Sequence, residues 1–219
     1  MTLACNALTT YVELQFKVSA EAEGLLAAGA QDWRLSKLPQ HFESILEQES
    51  FLLEDGLAPQ DLKHLRSYKN HFQDLCSELA AFGLPETLEH GDFQDNNVLV
   101  SASGIVVNDW GDAALAHPFF SLTRFLRSAK RVHSAVLDKA QIEQLCSAYF
   151  KPWLTYGNQQ NLMAAFQIAE IIGHVVFAHS LTRLWACPGA GMTEKPMRGL
   201  IADALRDFMN AIAREQVSN

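Results

Sequence analysis

Between Leu84 and His117 the apolar residues of the chain leave helical spacing. They fall into two short β-branched runs, Asn97-Val-Leu-Val100 and Ile105-Val-Val107, joined by Ser101-Ala-Ser-Gly104. Two such runs around a glycine-containing turn are the signature of a β-hairpin. On either side the period is that of helices, so the plan is a mostly helical domain enclosing one small hairpin.

From Leu8 to Ala28 the residues Leu8, Tyr11, Val12, Leu14, Val18, Leu25 and Leu26 recur at helical spacing, and Gly29 supplies a stop. Pro39 leads into HFESILEQESFLLEDG. Ala58-Pro59 opens a second stripe, Leu62, Leu65, Tyr68, Phe72, Leu75 and Leu79, that ends at Gly83. Residues 1–83 therefore read as helical throughout. After Pro118 the helical period returns in FFSLTRFLRSAKRV, Lys139–Phe150, Asn158–Trp185 and Lys195–Glu215, with Tyr156-Gly157-Asn158 and Cys187-Pro-Gly-Ala-Gly191 as interhelical breaks. No repeat or low-complexity tract interrupts the pattern. The expectation is a single helical lobe over 1–219, with the hairpin and its loops at 84–117 and further helices over 118–219.

A chain of 219 residues, 48% of them hydrophobic, can bury a full core. No run of eighteen or more uninterrupted apolar residues occurs, and MTLACNALTTYVELQ lacks the basic then apolar order of a secretion signal. A cytoplasmic location is expected. The cysteines Cys5, Cys76, Cys146 and Cys187 form no C-x-x-C pair and read as free thiols. A formal charge of -8 argues against nucleic acid or an anionic membrane as partner and leans toward a cationic or neutral small molecule.

The chemistry-bearing residues crowd the hairpin's entrance. LEHGDFQDNNVLV, Leu88–Val100, brings His90, Asp92, Asp95, Asn96 and Asn97 together, and Asp109-Trp110-Gly111 follows the second strand. Asp92 and Asn97 share one loop while Asp109 ends the hairpin, so closing the hairpin gathers all three side chains at one end. A carboxylate and an amide oxygen are hard ligands suited to Mg²⁺, which keeps some of its water and shares its coordination with phosphates. The remaining carboxylate, Asp92, would orient a hydroxyl and accept its proton.

H-G-D-x-x-x-x-N followed by D-W-G resembles the aminoglycoside phosphotransferase form of the protein-kinase pattern H-R-D-x-x-x-x-N followed by D-F-G, with the same Asp-to-Asn interval. The looser context, LPETLEHGDFQDNNVLV, VVNDWGDA and HPFFSL, is similar to the phosphotransferase family that includes antibiotic and choline kinases. The resemblance is specific between Leu84 and Leu122. It implies an α+β, mostly α fold: the carboxyl-terminal lobe of a protein-kinase-like enzyme, a helical bundle whose small hairpin carries the catalytic loop. It further implies Asp92 as catalytic base, Asn97 and Asp109 as magnesium ligands, ATP and Mg²⁺ as cofactors, and a small-molecule hydroxyl as acceptor.

Neighbouring residues have quieter readings. His90 braces the loop, Asp95 and Asn96 cap it, and Trp110 packs. Asp112 is either a supporting acid or a cap for the structure that follows. Arg124, Arg127 and Arg131 form a basic helix face, solvated or in contact with phosphate. His174 and His179 fall on different helix faces and do not share a metal, whereas Glu170 and His174 share a face and read as a local pair.

Relatives of this kind also use a glycine-rich strand-turn-strand and a strand-borne lysine over the phosphates. The 89 residues before His90 hold neither, since Lys17, Lys37, Lys63 and Lys69 fall in helical or connecting sequence. The amino-terminal β lobe is therefore expected to be missing, with weak binding of Mg·ATP as the consequence. Either coding sequence upstream of Met1 supplies that lobe, or the chain is a non-catalytic ligand- or partner-binding remnant. A third reading, a metal-dependent phosphoesterase, takes Gly91-Asp92-Phe-Gln-Asp95 as a metal motif and needs further histidines, of which His117 alone lies close downstream. A lobe standing by itself would expose apolar surface beside the hairpin and the first helix, with Tyr11 and Leu14 as candidates. That surface would support a homodimer or a complementing amino-terminal lobe.

Overall fold

The computed structural model describes residues 1–102, 104–132, 137–186 and 198–218. In chain order the elements are α1 (Thr2–Val18), α2 (Ala22–Ala27), β1 (Gln31–Trp33), α3 (Leu38–Glu47), α4 (Glu49–Glu54), α5 (Pro59–Ser67), α6 (Lys69–Ala81), β2 (Thr87–Glu89), β3 (Val98–Ser101), β4 (Gly104–Val107), β5 (Ala114–Ala116), α7 (Phe119–Val132), α8 (Lys139–Phe150), α9 (Gln159–Ala186) and α10 (Leu200–Ser218). The fold is α+β and mostly helical. Its contacts divide the chain into two compact units, Met1–Arg34 with Leu79–Ala169, and Leu35–Glu78 with Glu170–Asn219.

The first unit carries both sheets. In α1 the buried positions Ala7, Leu8, Tyr11, Val12 and Gln15 recur at three and four residues and pack the helix on β2 and α8. Gln15 sits on this apolar stripe because its amide is satisfied there, donating to the Leu88 carbonyl at 2.8 Å and accepting from the Tyr149 hydroxyl. The helix expected to run from Leu8 to Ala28 stops at Val18, passes through a 3₁₀ turn at Ser19–Glu21 and resumes as α2. At that break the Ser19 hydroxyl bonds back to the Phe16 carbonyl at 2.8 Å, in competition with the helical ladder.

The reading of 1–83 as wholly helical also fails at β1. Gly29, at φ +95°, ends the helical run, and Gln31–Trp33 pairs in parallel with β5. β2 pairs antiparallel with the other edge of β5, giving the order β1-β5-β2. The hairpin forms as the sequence implies, with Val98 opposite Val107, Leu99 opposite Val106, Val100 opposite Ile105 and Ser101 opposite Gly104. Its turn residue Ser103 lies outside the described residues. Tyr11 was a candidate for exposed surface and is instead fully buried, its ring stacked on Phe93 at 4.0 Å between centroids. Leu14, one turn on, is exposed as expected.

In the second unit Phe42, Phe72 and Phe208 form a mutual ring cluster with centroids 4.8 to 5.7 Å apart. The helix expected to run unbroken from Pro59 to Phe82 is two, α5 and α6. Between them the Tyr68 N–H closes on Leu65 and the Ser67 hydroxyl bonds back to the His64 carbonyl at 2.6 Å. Asp55 is buried and caps α10 from a distance, accepting the N–H groups of Gly199 and Ala202 at 2.7 and 2.9 Å. The Cys187–Gly191 break, Cys187 itself and the expected start of the last helix at Lys195 lie outside the described residues, as does the Arg131 side chain. The apolar stretch of α9, Gln159–Arg183, is long enough to cross a bilayer, but Leu162, Phe166, Ala169, Ile172 and Val175 are buried at the spacing of a core helix.

Candidate functional site

β2 runs directly into His90-Gly91-Asp92. Gly91 has φ +79°, and a Cβ placed there would lie 2.4 Å from the Asp112 carbonyl oxygen and 2.7 Å from the Asp112 Cβ. Only glycine allows this close crossing of two chain segments. The crossing places the Asp112 main chain directly behind the loop. His90 is buried and bridges the same two segments: its Nε2 meets the Asn108 carbonyl at 2.8 Å, and its Nδ1 accepts the Asp92 N–H at 3.3 Å. Those contacts assign the proton to Nε2, and burial lowers the imidazole pKa, which keeps the ring neutral. Trp110 covers His90 at 4.6 Å between centroids and ties itself to the Val107 carbonyl through its indole N–H at 3.0 Å.

The Asp92 carboxylate is held from both sides. Arg124, on α7, donates to Oδ1 from Nε at 3.1 Å and again from Nη2. Gln94 donates to Oδ2 at 2.7 Å. The Asn97 amide donates to the same oxygen at 3.1 Å and to the Asp92 main-chain carbonyl at 2.9 Å. Asn97 thus spends its NH₂ group on Asp92, leaving its carbonyl oxygen outside that contact.

Asn97 and Asp109 meet at the open end of the hairpin. The Asn108 N–H bonds to the Asn97 carbonyl at 2.9 Å, which extends the β3–β4 ladder by one pair and sets Asp109 immediately beyond it. Asp109 has φ 63° and ψ 63°, and among the described residues no other non-glycine has positive φ. A left-handed aspartate costs of order 1 kcal/mol and is held by its surroundings, an arrangement that gathers at functional sites. It turns the chain out of β4 and leaves the residue exposed. A carboxylate and an amide oxygen are the ligand types that suit Mg²⁺. The described strands carry no lysine.

Residues 14–156 match the sequence model of the phosphotransferase enzyme family, well over half of the chain. The protein belongs to that family. No curated protein matches the chain. Every residue of the cluster, from His90 through Asn97 and Asp109 to Arg124, lies within the span matched to the phosphotransferase model.

Several members of this phosphotransferase site were not apparent from the motif. Arg124 was assigned to a solvated or phosphate-facing helix surface, yet it is the ion partner of Asp92. Gln94 had no role. Glu89 and Ser121 lie buried beneath the loop, their side-chain oxygens 2.5 Å apart, and burial pushes the Glu89 carboxyl up to about 7. One signal was present in the sequence: Ser121 and Arg124 are three apart on a helix and so share a face. Asp95 accepts from the Ser128 hydroxyl at 3.2 Å, which ties the loop to α7 a second time. His117, the histidine that the phosphoesterase reading required, is buried, with Nδ1 accepting the Phe119 N–H at 3.3 Å and its ring against Phe119 and Phe120. It belongs to the core.

Proposed function

We propose that this phosphotransferase supplies the base and the metal ligands for transfer of the ATP γ-phosphate to a hydroxyl of a small molecule. In this reading Asp92 orients the acceptor hydroxyl and takes its proton as the new O–P bond forms and the bond to the ADP leaving oxygen breaks. The Asn97 carbonyl oxygen and the Asp109 carboxylate are the ligands for Mg²⁺, which when bound offsets charge on the phosphates. Arg124 pairs with Asp92 and fixes the plane of its carboxylate. His90 and Trp110 hold the loop against the hairpin.

The supporting observation is that Asp92, Asn97 and Asp109 converge at one end of β3–β4, with the Asn97 amide bonded to Asp92. The test is transfer of labelled γ-phosphate from Mg·ATP to a pool of hydroxyl compounds. Asp92→Asn, nearly isosteric but unable to accept the proton, is expected to lose at least about a hundredfold. Transfer at the parental rate by that variant would remove Asp92 from the role of base.

A second reading, ligand binding without turnover, has one observation in its favour. A carboxylate offers about four lone-pair positions, and Asp92 already receives two donors on each oxygen. For catalysis one donor must leave, and Gln94, on the loop itself and only partly buried, is the one least tied down.

A further inference from the structure

Glu89 ends β2 and is 3% exposed. One of its carboxylate oxygens accepts the Gly91 N–H at 3.2 Å, and the other lies 2.5 Å from the Ser121 hydroxyl. Ser121 Oγ is 2.6 Å from the Tyr11 hydroxyl, which lies 3.3 Å from the Leu88 carbonyl and accepts the His90 N–H at 3.1 Å. This row of hydroxyls is satisfied in two proton arrangements. With Glu89 protonated, protons run from Glu89 to Ser121, from Ser121 to Tyr11, and from Tyr11 to the Leu88 carbonyl. With Glu89 ionised, the Ser121 hydroxyl turns to donate to it and Tyr11 keeps its own bond. Within this row neither state strands a buried polar group or requires Glu89, Ser121 or Tyr11 to shift its heavy atoms, so the row tolerates both.

The groups facing Glu89 include one cation. α1 contributes Tyr11 and Gln15, and α8 contributes Tyr149. Burial pushes both phenols up, so they stay neutral. β5 presents Ala114, Leu115 and Ala116, while Glu21 and Glu23, beside β2 on the turn and short helix, are exposed. His90 is held neutral. α7 supplies Ser121 and, one turn later, Arg124, whose charge favours the ionised form of Glu89 while its guanidinium is bonded to Asp92.

We propose that Glu89 is a positioning residue for Asp92, its proton setting how firmly Arg124 holds that carboxylate. Protonated Glu89 leaves the guanidinium to Asp92 alone. Ionised Glu89 draws Arg124 toward β2, loosens its bonds to Asp92 and frees a lone pair for an acceptor hydroxyl. The functional consequence rests on Asp92 being the base, while the coupling itself does not.

The experiment is NMR of the isotope-labelled full chain across about pH 5 to 9, following the Glu89 side-chain carboxyl and the Arg124 Nε–H resonance. In the parent protein both are expected to move with one midpoint near neutrality. In Glu89→Gln the Arg124 resonance should hold still, and in Ser121→Ala, which removes a donor to the ionised form, both midpoints should rise together. An Arg124 resonance that stays fixed while Glu89 titrates, or that steps equally in Glu89→Gln, overturns the proposal. Should the glutamine variant fail to fold, the joint shift in Ser121→Ala decides. Failure of the base assignment is separately visible, as phosphoryl transfer surviving Asp92→Asn with the Arg124 step intact.

Discussion

Arg124 places two donors, Nε and Nη2, on a single oxygen of Asp92 across 32 residues of sequence. The pair is partly shielded, with side chains 21% and 28% exposed. A pair of this kind exceeds an exposed ion pair in strength without carrying the full desolvation cost of a buried one. Arg124→Ala is expected to lower unfolding stability by about 1 to 2 kcal/mol. Arg124→Lys should recover only part of it, because an ammonium has no planar fork to set two parallel donors on the carboxylate. Urea denaturation measures both, and a lysine variant as stable as the parent would show that charge alone suffices.

Gly91 and Gly104 both have positive φ but differ in their surroundings. A Cβ at Gly104 meets nothing within 4 Å, whereas at Gly91 it meets the Asp112 main chain at 2.4 Å. Gly104→Ala should therefore cost only the backbone term, about 1 kcal/mol. Gly91→Ala adds a backbone clash that no rotamer relieves and should cost at least about 3 kcal/mol. Equal midpoints in denaturation would mean that the two segments separate at no cost.

The hairpin and the residues at its mouth were legible because β-branched runs around a glycine turn contrast with the helical period on either side. β1, β2 and β5 were not, since three residues show no period, and Ala114-Leu115-Ala116 is as compatible with a helix as with a strand. Their pairings span long stretches of chain, so only the assembled unit specifies them. Tyr11 was expected at the surface because a missing amino-terminal lobe would uncover the first helix; instead Ser121 and the His90 N–H, 110 and 79 residues away, satisfy its hydroxyl inside the unit. Glu89 and Gln15 are satisfied in the same way. A polar residue inside a helix or strand reads as solvent-facing until the group that satisfies it is known.

Gln94 occupies an acceptor position on Asp92 Oδ2 at 2.7 Å. Gln94→Ala should leave stability within about 0.5 kcal/mol, since the side chain is on a loop and only partly buried, while opening that position to an incoming hydroxyl. In the phosphate-transfer assay the expected result is a lower KM for the acceptor with little change in kcat. A raised KM would instead make Gln94 a contact to the substrate.

Two buried groups give the stability profile opposite slopes. Glu89 has its folded value raised from 4.5 to about 7, so the folded state binds the extra proton. Its contribution is complete below about pH 4.5 and is lost as pH rises through 7. His117 has its folded value lowered from 6.5 to about 3 by burial, so the unfolded state binds the extra proton. Its contribution is complete above about pH 6.5 and is lost as pH falls toward 3. Glu89→Gln should therefore flatten the decline on the neutral side, and His117→Asn the decline on the acid side, each leaving the other limb in place. Thermal melts at intervals across about pH 4 to 8 separate the two. An acid limb as steep in His117→Asn as in the parent would assign that loss to other groups, among them His90 and His179, whose pKa values burial also lowers.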